Sequence, residues 1–332
     1  MRRRWIKFLS RFLILIVLVA VGFGAYTYLN LKGIIDDPGK FLQGLNKNFT
    51  STVTYKGEKY AYNKDISTLV FLGTDASTAE GRQELGARSD TMIVCAIDSK
   101  NHTAEMIVLP RDTRAQIDQL NKDGSLKKQV TNKLNAAFPY GNGNNDAKMG
   151  AQNTLKAIER ILEVDGKYDI PLEKYGGINM DAIVPLNDAV GGVTVTLKQS
   201  VPGVGKKGET VTLKGEQAFN FCVMRKGAGL DGSDIARGQR QMQFMFGLAH
   251  NIRSMDAGDI VKVYNAVSKN AFTNLSTSQM VAYASILKEI PEENIKITQL
   301  KGTAKTINGG SYWVLDEQAL EQTIIDIFYI KQ

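Results

Sequence analysis

Three segments of this chain, FLGTDAS (residues 71–77), ARSDTMIVCAID (87–98) and TAEMIVLPRDT (103–113), decide its fold. Each combines an apolar, β-branched run typical of a strand with charged residues where the run meets a loop. The charged residues are two aspartates and two arginines, namely Asp75, Arg88, Asp90 and Arg111. Because loops at strand ends carry many functional side chains, this stretch predicts a sheet with a polar site at its edge.

The flanking sequence predicts helices that alternate with strands. The strands are expected at Ile66–Leu72, Thr91–Ile97, Thr103–Leu109 and Val193–Leu197. Apolar residues recur at helical spacing in Asp146–Glu163, Asp181–Val190 and Asp234–Arg253. Strands that alternate with helices predict an α/β fold, in which a mixed central β-sheet is flanked by helices on both faces, an αβα sandwich.

The N-terminus predicts a membrane anchor. Residues 1–11 are basic, and residues 12–29 form an uncharged run of 18 residues, close to the length that a helix needs to span a bilayer. This charge asymmetry predicts a cytoplasmic location for residues 1–11 and an extracytoplasmic one for the rest of the chain, as a single-pass protein of the cell membrane. A cleaved signal peptide is the alternative, but no convincing A-x-A cleavage site follows the run.

The rest of the chain predicts one domain on a short stalk. Residues 30–60 are polar and are predicted as an extracytoplasmic stalk, and no obvious linker interrupts residues 61–332. We therefore expect a single domain over 61–332, with a core at 66–255 and a C-terminal extension at 256–332.

Composition narrows the class of partner. The formal net charge is +7, but five of the 41 basic residues lie in residues 1–11, which leaves 36 basic against 34 acidic residues. A nearly neutral folded part argues against nucleic acid as a partner, because binding to it depends on neutralising many phosphates. Cys95 and Cys222 lie in apolar runs and are predicted as buried thiols, and a disulfide between them stays open.

Familiar catalytic motifs do not match this sequence. The two histidines, His102 in a turn and His250 on a helix, lack the neighbours of a nucleophilic triad or a zinc site. Gly203-x-Gly205-x-x-Gly208 has the spacing of a dinucleotide fingerprint, but the strand-like run ETVTL follows it where the fingerprint requires a helix. We predict a hairpin at these glycines.

A second group of polar residues lies at the start of the helix predicted for Asp234–Arg253. Arg225 precedes this helix, and Asp234, Arg237 and Gln241 share one stripe of it through their i, i+3, i+7 spacing. An arginine in the first turn of a helix opposes the helix dipole. Arg237 therefore predicts a bound anion at this position.

Each charged residue also has a structural explanation, but together they match one chemistry. Asp75 could stabilise a turn, Asp234 could be an N-cap, and Arg88 and Asp90 could form a local ion pair. In phosphoryl transfer, Mg²⁺ takes one or two carboxylates as ligands, and arginines hold the phosphate oxygens. Catalysis then rests on positioning and charge neutralisation.

The order of these motifs resembles that of the LytR-CpsA-Psr family of cell-envelope proteins. The resemblance covers the predicted anchor and residues 66–253, and after residue 256 it is limited to FTNLS. It rests on segments in the same order along the chain, which are GTDAS, ARSDTM, LPRDT, NKLNAAF, NDAVGGVTV, LKGEQAF and SDIARGQRQ. Such an ordered series is far more specific than any one of its members.

The resemblance implies a reaction and its partners. Members of the family are known as phosphotransferases that move a glycopolymer from an undecaprenyl-pyrophosphate carrier to a sugar hydroxyl of peptidoglycan. By resemblance, this protein would use a polyprenyl-pyrophosphate-linked glycan as donor and peptidoglycan as acceptor, and it would meet membrane lipid. The cofactor would be Mg²⁺, or Mn²⁺ in its place.

The resemblance also implies roles for individual residues. Asp75 and Asp90 would hold the metal, and the apolar faces of the helices would shelter the polyprenyl chain. The residues expected to bind the pyrophosphate come from both polar groups, and they are Arg88, Arg111, Arg225, Arg237 and Gln241. The expected catalytic residues are Asp90, Arg111, Asp234 and Arg237, with Asp90 and Asp234 as the candidates that accept the hydroxyl proton.

One position departs from the family pattern. The family commonly has an R-x-R pair before the glycine loop, and here Val223 occupies the first position of that pair. One phosphate contact is then missing or is supplied by Lys226 or Lys133. This departure keeps one alternative open, a non-catalytic polyprenyl-phosphate-binding regulator or scaffold of envelope assembly. A lipid pyrophosphatase is a further alternative.

Overall fold

The computed structural model of this protein describes residues 32–46, 48–75, 87–143 and 145–332. Its helices are α1 Pro38–Asn46, α2 Ala137–Tyr140, α3 Ala147–Glu163, α4 Ile183–Ala189, α5 Glu216–Val223, α6 Asp234–Arg253, α7 Ala257–Val267, α8 Thr277–Glu289 and α9 Glu317–Phe328. Its strands are β1 Thr52–Tyr55, β2 Glu58–Tyr62, β3 Ile66–Thr74, β4 Ser89–Asp98, β5 Thr103–Val108, β6 Arg114–Leu120, β7 Leu126–Lys133, β8 Tyr175–Asn179, β9 Thr194–Thr196, β10 Thr210–Thr212, β11 Ala271–Thr273, β12 Ile295–Gln299, β13 Gly302–Ile307, β14 Gly310–Leu315 and β15 Tyr329–Lys331.

The central sheet is mixed, as predicted. Its strand order is β11-β8-β3-β4-β5-β12. Strands β3 and β8 are parallel, as are β5 and β12, whereas β4 is antiparallel to both of its neighbours. Consequently β3, β5, β8 and β12 all end at one edge of the sheet, and β4 begins there. In open α/β sheets, ligands bind outside the carboxyl ends of the strands.

The register of the sheet positions the charged residues that follow its strands. Pairing of β3 with β4 runs from Ile66 opposite Asp98 to Thr74 opposite Ser89. Asp75, the first residue after β3, therefore lies at the same edge as Asp90, the second residue of β4. Strand β5 ends opposite Ile93, so the loop that carries Arg111 leaves the sheet at this edge as well.

Alternation along the strands produces an apolar core on each face. Val70, Leu72 and Val94 point into one hydrophobic cluster, which includes Leu155 and Ile158 of α3. On the other face, Ile97 packs with residues of α1 and α8, including Leu42 and Tyr283. Helices therefore cover both faces, and the predicted αβα sandwich is confirmed for the described residues.

Local signals at the helix ends and the hairpin behave as the sequence predicts. The Asp146 carboxylate accepts hydrogen bonds from the backbone N–H groups of Lys148 and Met149, at 2.9 and 3.1 Å, and caps α3. The glycine-rich segment 203–208 lies between the antiparallel strands β9 and β10 and forms a hairpin. Cys222 is buried, Cys95 is half-buried, and both thiols are free.

Helix α1 and strands β1 and β2 are packed on the domain. Helix α1, within the segment predicted as a stalk (30–60), contributes Leu42 to the core. Strands β1 and β2 form a hairpin, and β2 also pairs with β15 at the C-terminus. The predicted cytoplasmic tail (1–11) and membrane helix (12–29) lie outside the described residues. Among the residues that are described, no helix has both the length and the apolar character needed to cross a membrane.

Candidate active site

An open cleft of about 680 Å³ lies at the edge of the sheet where β3 and β5 end and β4 begins. We call it the polar cleft. Its lining comes from seven separate segments of the chain and comprises Asp75, Arg88, Asp90, Arg111, Asp112, Lys133, Asn135, Met180, Val223, Met224, Arg225, Lys226 and Arg237. The fold therefore brings together the four arginines and two of the aspartates that the sequence singled out, and their chemical roles stay predictions.

Asp90 is the centre of the ion pairs in the polar cleft. Its Oδ2 lies 2.7 Å from Nη1 of Arg111 and 3.6 Å from Nη2 of Arg237. The Nδ2 amide of Asn135 donates a hydrogen bond of 3.1 Å to its Oδ1. The Asp90 side chain is 15% exposed and that of Arg237 is 9% exposed, so water screens this pair weakly. Asp90 thus fixes the positions of two guanidinium groups at the wall of the cleft.

Asp75 joins the ends of β3 and β4. Its Oδ1 accepts a hydrogen bond of 2.6 Å from the backbone N–H of Arg88, and its own N–H donates to the Arg88 carbonyl at 3.0 Å. Asp75 thus uses one carboxylate oxygen, Oδ1, to stabilise the backbone where β3 ends and β4 begins, as the interpretation of Asp75 as a turn residue predicts. Burial raises the pKa of the Asp75 carboxyl, the Arg88 N–H opposes this rise, and the negative charge of Asp90 adds to it.

Asn135 is a site residue that sequence reasoning missed. The hairpin of β6 and β7 leaves the sheet after Arg111 and returns at Lys133, where the Asn135 N–H donates to the Arg111 carbonyl at 3.0 Å. Lys133 Nζ lies 3.0 Å from Oδ1 of Asp112, across the base of the same hairpin. The segment NKLNAAF was visible as a motif, but nothing local indicated that its second asparagine contacts Asp90.

Arg237 enters the polar cleft from the first turn of α6. The N-cap of this helix is Ser233, whose Oγ accepts a hydrogen bond of 3.2 Å from the Ala236 N–H. The alternative interpretation of Asp234 as the N-cap is therefore wrong, because Asp234 is already the first helical residue. The side chain of Asp234 lies outside the described part of the structure, so its predicted catalytic role stays a prediction.

A second residue that sequence reasoning missed, Arg240, joins α6 to the loop that carries Arg225. Arg240 is 3% exposed. Its Nε donates to the Phe221 carbonyl at 2.8 Å, and its guanidinium also donates to the carbonyls of Met224 and Asp231. Burial lowers the pKa of Arg240 from its ordinary value. The sequence indicated no separate role for Arg240, because it lies three residues after Arg237 and the two side chains leave the helix in similar directions.

We expect the substitution Arg240→Met to lower the free energy of unfolding by about 2 kcal/mol, because it removes the donor to the buried Phe221 carbonyl and to the partly buried carbonyls of Met224 and Asp231. Urea denaturation of the variant and the wild type measures the difference. Arg114→Ala, which changes an exposed arginine on β6, is the control, and we expect it to shift stability by less than about 0.5 kcal/mol. Equal effects of the two substitutions would contradict this role for Arg240.

A narrow apolar crevice of about 80 Å³ adjoins the polar cleft. It shares Asp75, Asp90, Met180, Val223 and Arg237 with the cleft, and its other walls come mainly from β3, β8, α4 and α6. Its apolar lining includes Phe71, Ile178, Ile183, Leu186, Phe244, Met245 and Leu248. The two cavities together can hold a molecule with an anionic head and an apolar tail.

Comparison with known proteins identifies the family. A sequence model of the LytR_cpsA_psr family matches residues 40–326. This chain belongs to that family. The match reaches well beyond residue 256, where the resemblance of short motifs was weak.

Relatives and solved structures agree with this assignment. The polyisoprenyl-teichoic acid–peptidoglycan teichoic acid transferase TagU of Bacillus subtilis is 28% identical over 326 residues, which cover 96% of this chain and 94% of TagU. Biofilm regulatory protein A of Streptococcus mutans is 30% identical over 294 residues, which cover 83% and 66% of the two chains. The crystal structure of TagV from B. subtilis is similar with a TM-score of 0.59 at 26% identity, over 78% of this chain and 95% of that one.

Two features of this LytR-CpsA-Psr protein refine the predicted site. Val223, at the position where the family commonly has arginine, lines both the polar cleft and the apolar crevice. Gln241, predicted to bind pyrophosphate, lines the crevice, and its Nε2 donates to the Cys222 carbonyl at 3.3 Å. In the described part of the structure, Gln241 therefore lies on the crevice side of Arg237, away from the polar cleft.

The donor set of the polar cleft fits a divalent cation. Asp75 and Asp90 both line it, at the edge where β3 ends and its paired strand β4 begins, so two negative charges face the same opening and repel each other. A hard cation that takes oxygen ligands would relieve this repulsion, and one or two carboxylates are the usual protein share of a Mg²⁺ site. Among the described residues, no group of three or more His, Cys, Asp or Glu side chains has a metal-binding arrangement.

Proposed function

We propose that this protein is a membrane-anchored, Mg²⁺-dependent phosphotransferase that moves a glycopolymer from an undecaprenyl-pyrophosphate-linked donor to a sugar hydroxyl of peptidoglycan. One observation carries the proposal: Asp90 holds Arg111 and Arg237 in a cleft that opens into an apolar crevice. The names of its relatives in Bacillus subtilis, which are polyisoprenyl-teichoic acid–peptidoglycan transferases, agree with it.

The two cavities suit the two parts of the donor. Guanidinium groups bind phosphate oxygens bidentately, so Arg88, Arg111, Arg225 and Arg237 would hold the pyrophosphate. The crevice would take the first isoprenyl units, which gain stability when apolar surface leaves water. A predicted anchor at residues 12–29 would raise the encounter rate with a lipid-linked donor, because it confines both molecules to one membrane.

The reaction follows from this placement. The acceptor hydroxyl oxygen forms a bond to the phosphorus that carries the glycan, and the bond from that phosphorus to the bridging oxygen breaks. The lipid phosphate leaves with the bridging oxygen, and the hydroxyl proton passes to a carboxylate, for which Asp90 and Asp234 are the candidates. Arg111 and Arg237 stabilise the charge that develops on the phosphoryl oxygens.

The proposed cofactor site consists of Asp75 and Asp90. These carboxylates would hold Mg²⁺, or Mn²⁺, which supplies charge neutralisation to the pyrophosphate when bound. We expect Asp75→Asn to raise the Mg²⁺ concentration for half-maximal transfer by more than about tenfold, equivalent to 1.4 kcal/mol. A titration of activity with Mg²⁺ measures this change, with Asp123→Asn, on an exposed turn, as the control. The same Mg²⁺ requirement in both variants would contradict the site.

The test of the proposed function is a transfer assay. The full chain, purified in detergent, is incubated with a lipid-pyrophosphate glycan, peptidoglycan and Mg²⁺, with and without a chelator. Glycan covalently attached to peptidoglycan supports the proposal. Donor binding without any turnover supports the regulator or scaffold instead. Two observations favour that alternative, namely Val223 at the position where the family commonly has arginine and the name of the Streptococcus mutans relative. Phosphate release without an acceptor supports the lipid pyrophosphatase.

A further inference from the structure

A third cavity, of about 720 Å³, lies where β12 ends and the hairpin of β13 and β14 begins. We call it the hairpin groove. Its polar wall consists of Gln299, Lys301, Thr303, Lys305 and Asp316, and Trp313 contributes an aromatic side chain. The residues predicted for the active site do not line it, and it belongs to the region after residue 256 that the motifs left without a role.

The order of strands places the three cavities in a row. The apolar crevice touches β8, β3 and β4, the polar cleft touches the start of β4 and the loop after β5, and the hairpin groove touches the end of β12. These strands are consecutive in the sheet, and β12 ends at the same edge as β5. Neighbouring strands are about 4.8 Å apart, so the hairpin groove is about 10 Å from the start of β4 across the sheet.

One loop separates the hairpin groove from the polar cleft. The Trp313 N–H donates to the Asp112 carbonyl at 2.8 Å, and Trp313 also pairs with Thr113 as an isolated parallel bridge. The Asp112 side chain lines the polar cleft, and its neighbour Arg111 contacts Asp90. The segment 111–113 thus connects the two cavities, because its side chains Arg111 and Asp112 line the polar cleft and its backbone is bonded to Trp313, which lines the hairpin groove.

The chemistry of the hairpin groove suits a carbohydrate. Trp313 is half-buried, and its Nε1 is buried beside Gly302, where an added Cβ would lie 2.6 Å from that nitrogen. The carbon part of the indole is therefore what faces the groove, and an aromatic surface of this kind packs against the C–H face of a sugar. Amide, hydroxyl, ammonium and carboxylate groups next to it can bond sugar hydroxyls. The two lysines outnumber Asp316, whose Oδ1 already accepts the Ala319 N–H, so the groove favours a glycan with acidic substituents.

We propose that the hairpin groove binds the acceptor glycan strand, an inference that rests on the phosphotransfer function proposed above. In phosphoryl transfer the attacking and leaving oxygens lie roughly in line with the phosphorus. The lipid phosphate leaves toward the apolar crevice, so the acceptor hydroxyl arrives from the opposite side of the polar cleft. The hairpin groove lies on that side, and it binds sugars that neighbour the reacting one.

Binding can be measured without turnover, because Trp313 is one of only two tryptophans. In the full chain carrying Trp5→Phe, Trp313 is the sole source of tryptophan fluorescence. Soluble peptidoglycan oligosaccharides are expected to change this fluorescence in a saturable way. A response only to the free donor glycopolymer, or no response to either, would overturn the proposal.

Kinetics test the same groove in transfer. The double substitution Lys301→Ala/Lys305→Ala is expected to raise the KM for peptidoglycan about fivefold or more, as the loss of one or two hydrogen bonds predicts. The KM for the lipid donor and the rate at saturating acceptor stay unchanged. Lys207→Ala, an exposed lysine on the distant hairpin of β9 and β10, is the matched control.

The two proposals fail in different ways. If the wild type does not transfer glycan but its Trp313 fluorescence responds to peptidoglycan oligosaccharides, the proposed function is wrong and the groove still binds glycan. If transfer occurs while the double variant keeps the wild-type KM for peptidoglycan and Trp313 does not respond, the acceptor assignment alone is wrong.

Discussion

Arg111→Ala is expected to lower the rate of glycan transfer by about 10²–10³-fold. Arg111 Nη1 lies 2.7 Å from Oδ2 of Asp90, and its side chain is 26% exposed, so it is held rigidly at the wall of the polar cleft. Removing one preorganised donor from the developing charge of a transition state costs about that factor. The substitution also leaves the partly buried Asp90 without its shortest ion pair. Initial rates of transfer from a lipid-pyrophosphate donor measure the effect.

Arg114→Ala is the matched control for this experiment. Arg114 is an exposed arginine three residues further on, at the start of β6 and outside the lining of the polar cleft. We expect its transfer rate to stay within about twofold of the wild type, since surface substitutions change stability by less than about 0.5 kcal/mol. Arg237→Ala should behave like Arg111→Ala, because both arginines contact the same oxygen of Asp90. Wild-type rates in both cleft variants would refute the site.

Asp118→Ala is expected to lower the free energy of unfolding by about 3–5 kcal/mol, the usual cost of removing one partner from a buried ion pair. The Asp118 side chain is 2% exposed, and it lies 2.8 Å from Lys156 Nζ. Arg160 Nη2 and Gln129 Nε2 each donate to it at 3.0 Å. These contacts fasten the hairpin of β6 and β7 to helix α3. Urea denaturation at pH 7 measures the loss, and Asp123→Ala in the turn of the same hairpin should change stability far less.

The contribution of Asp118 also depends on pH. Burial raises its pKa, but hydrogen bonds from Arg160, Lys156 and Gln129 outweigh this effect and hold the pKa well below the usual range. A carboxyl group whose pKa is lowered by folding stabilises the protein above its unfolded pKa, about 3.9, and this stabilisation is lost as the pH falls toward the folded pKa. The stability difference between the wild type and Asp118→Asn should therefore be constant above about pH 5 and shrink below about pH 4. A difference that grows in acid would contradict this account.

This hairpin links the stability prediction to the catalytic one. Its first strand follows Arg111, and its second strand ends at Lys133, next to Asn135. Asn135 donates to Asp90 with its side chain and to the Arg111 carbonyl with its backbone. Loss of the Asp118 contacts would therefore loosen the base of the hairpin, where both residues meet Asp90. We therefore expect the hairpin of β6 and β7 to hold Arg111 and Asn135 in place at the polar cleft.

Local pattern was enough to predict three central strands of the sheet and its charged edge. Alternating apolar residues identified β3, β4 and β5, and helical spacing with the cap at Asp146 identified α3. Asp75, Asp90 and Arg111 were recognisable because each stands at the end of an apolar run. Such signals extend over a few residues, and backbone geometry relates them directly to sequence spacing.

The partners of these residues depended on contacts between distant segments. Asp90 pairs with Arg111 and Asn135, which lie 21 and 45 residues away, and with Arg237 from another part of the chain. The packing of α5 against α6 buries Arg240 against the Phe221 carbonyl and places Gln241 on the crevice side of Arg237. The sequence therefore contains the charges and the elements that carry them. Strand order, register and helix packing decide which charges meet, because a side chain's neighbours on other elements are set by how those elements pair and pack, and not by its own segment.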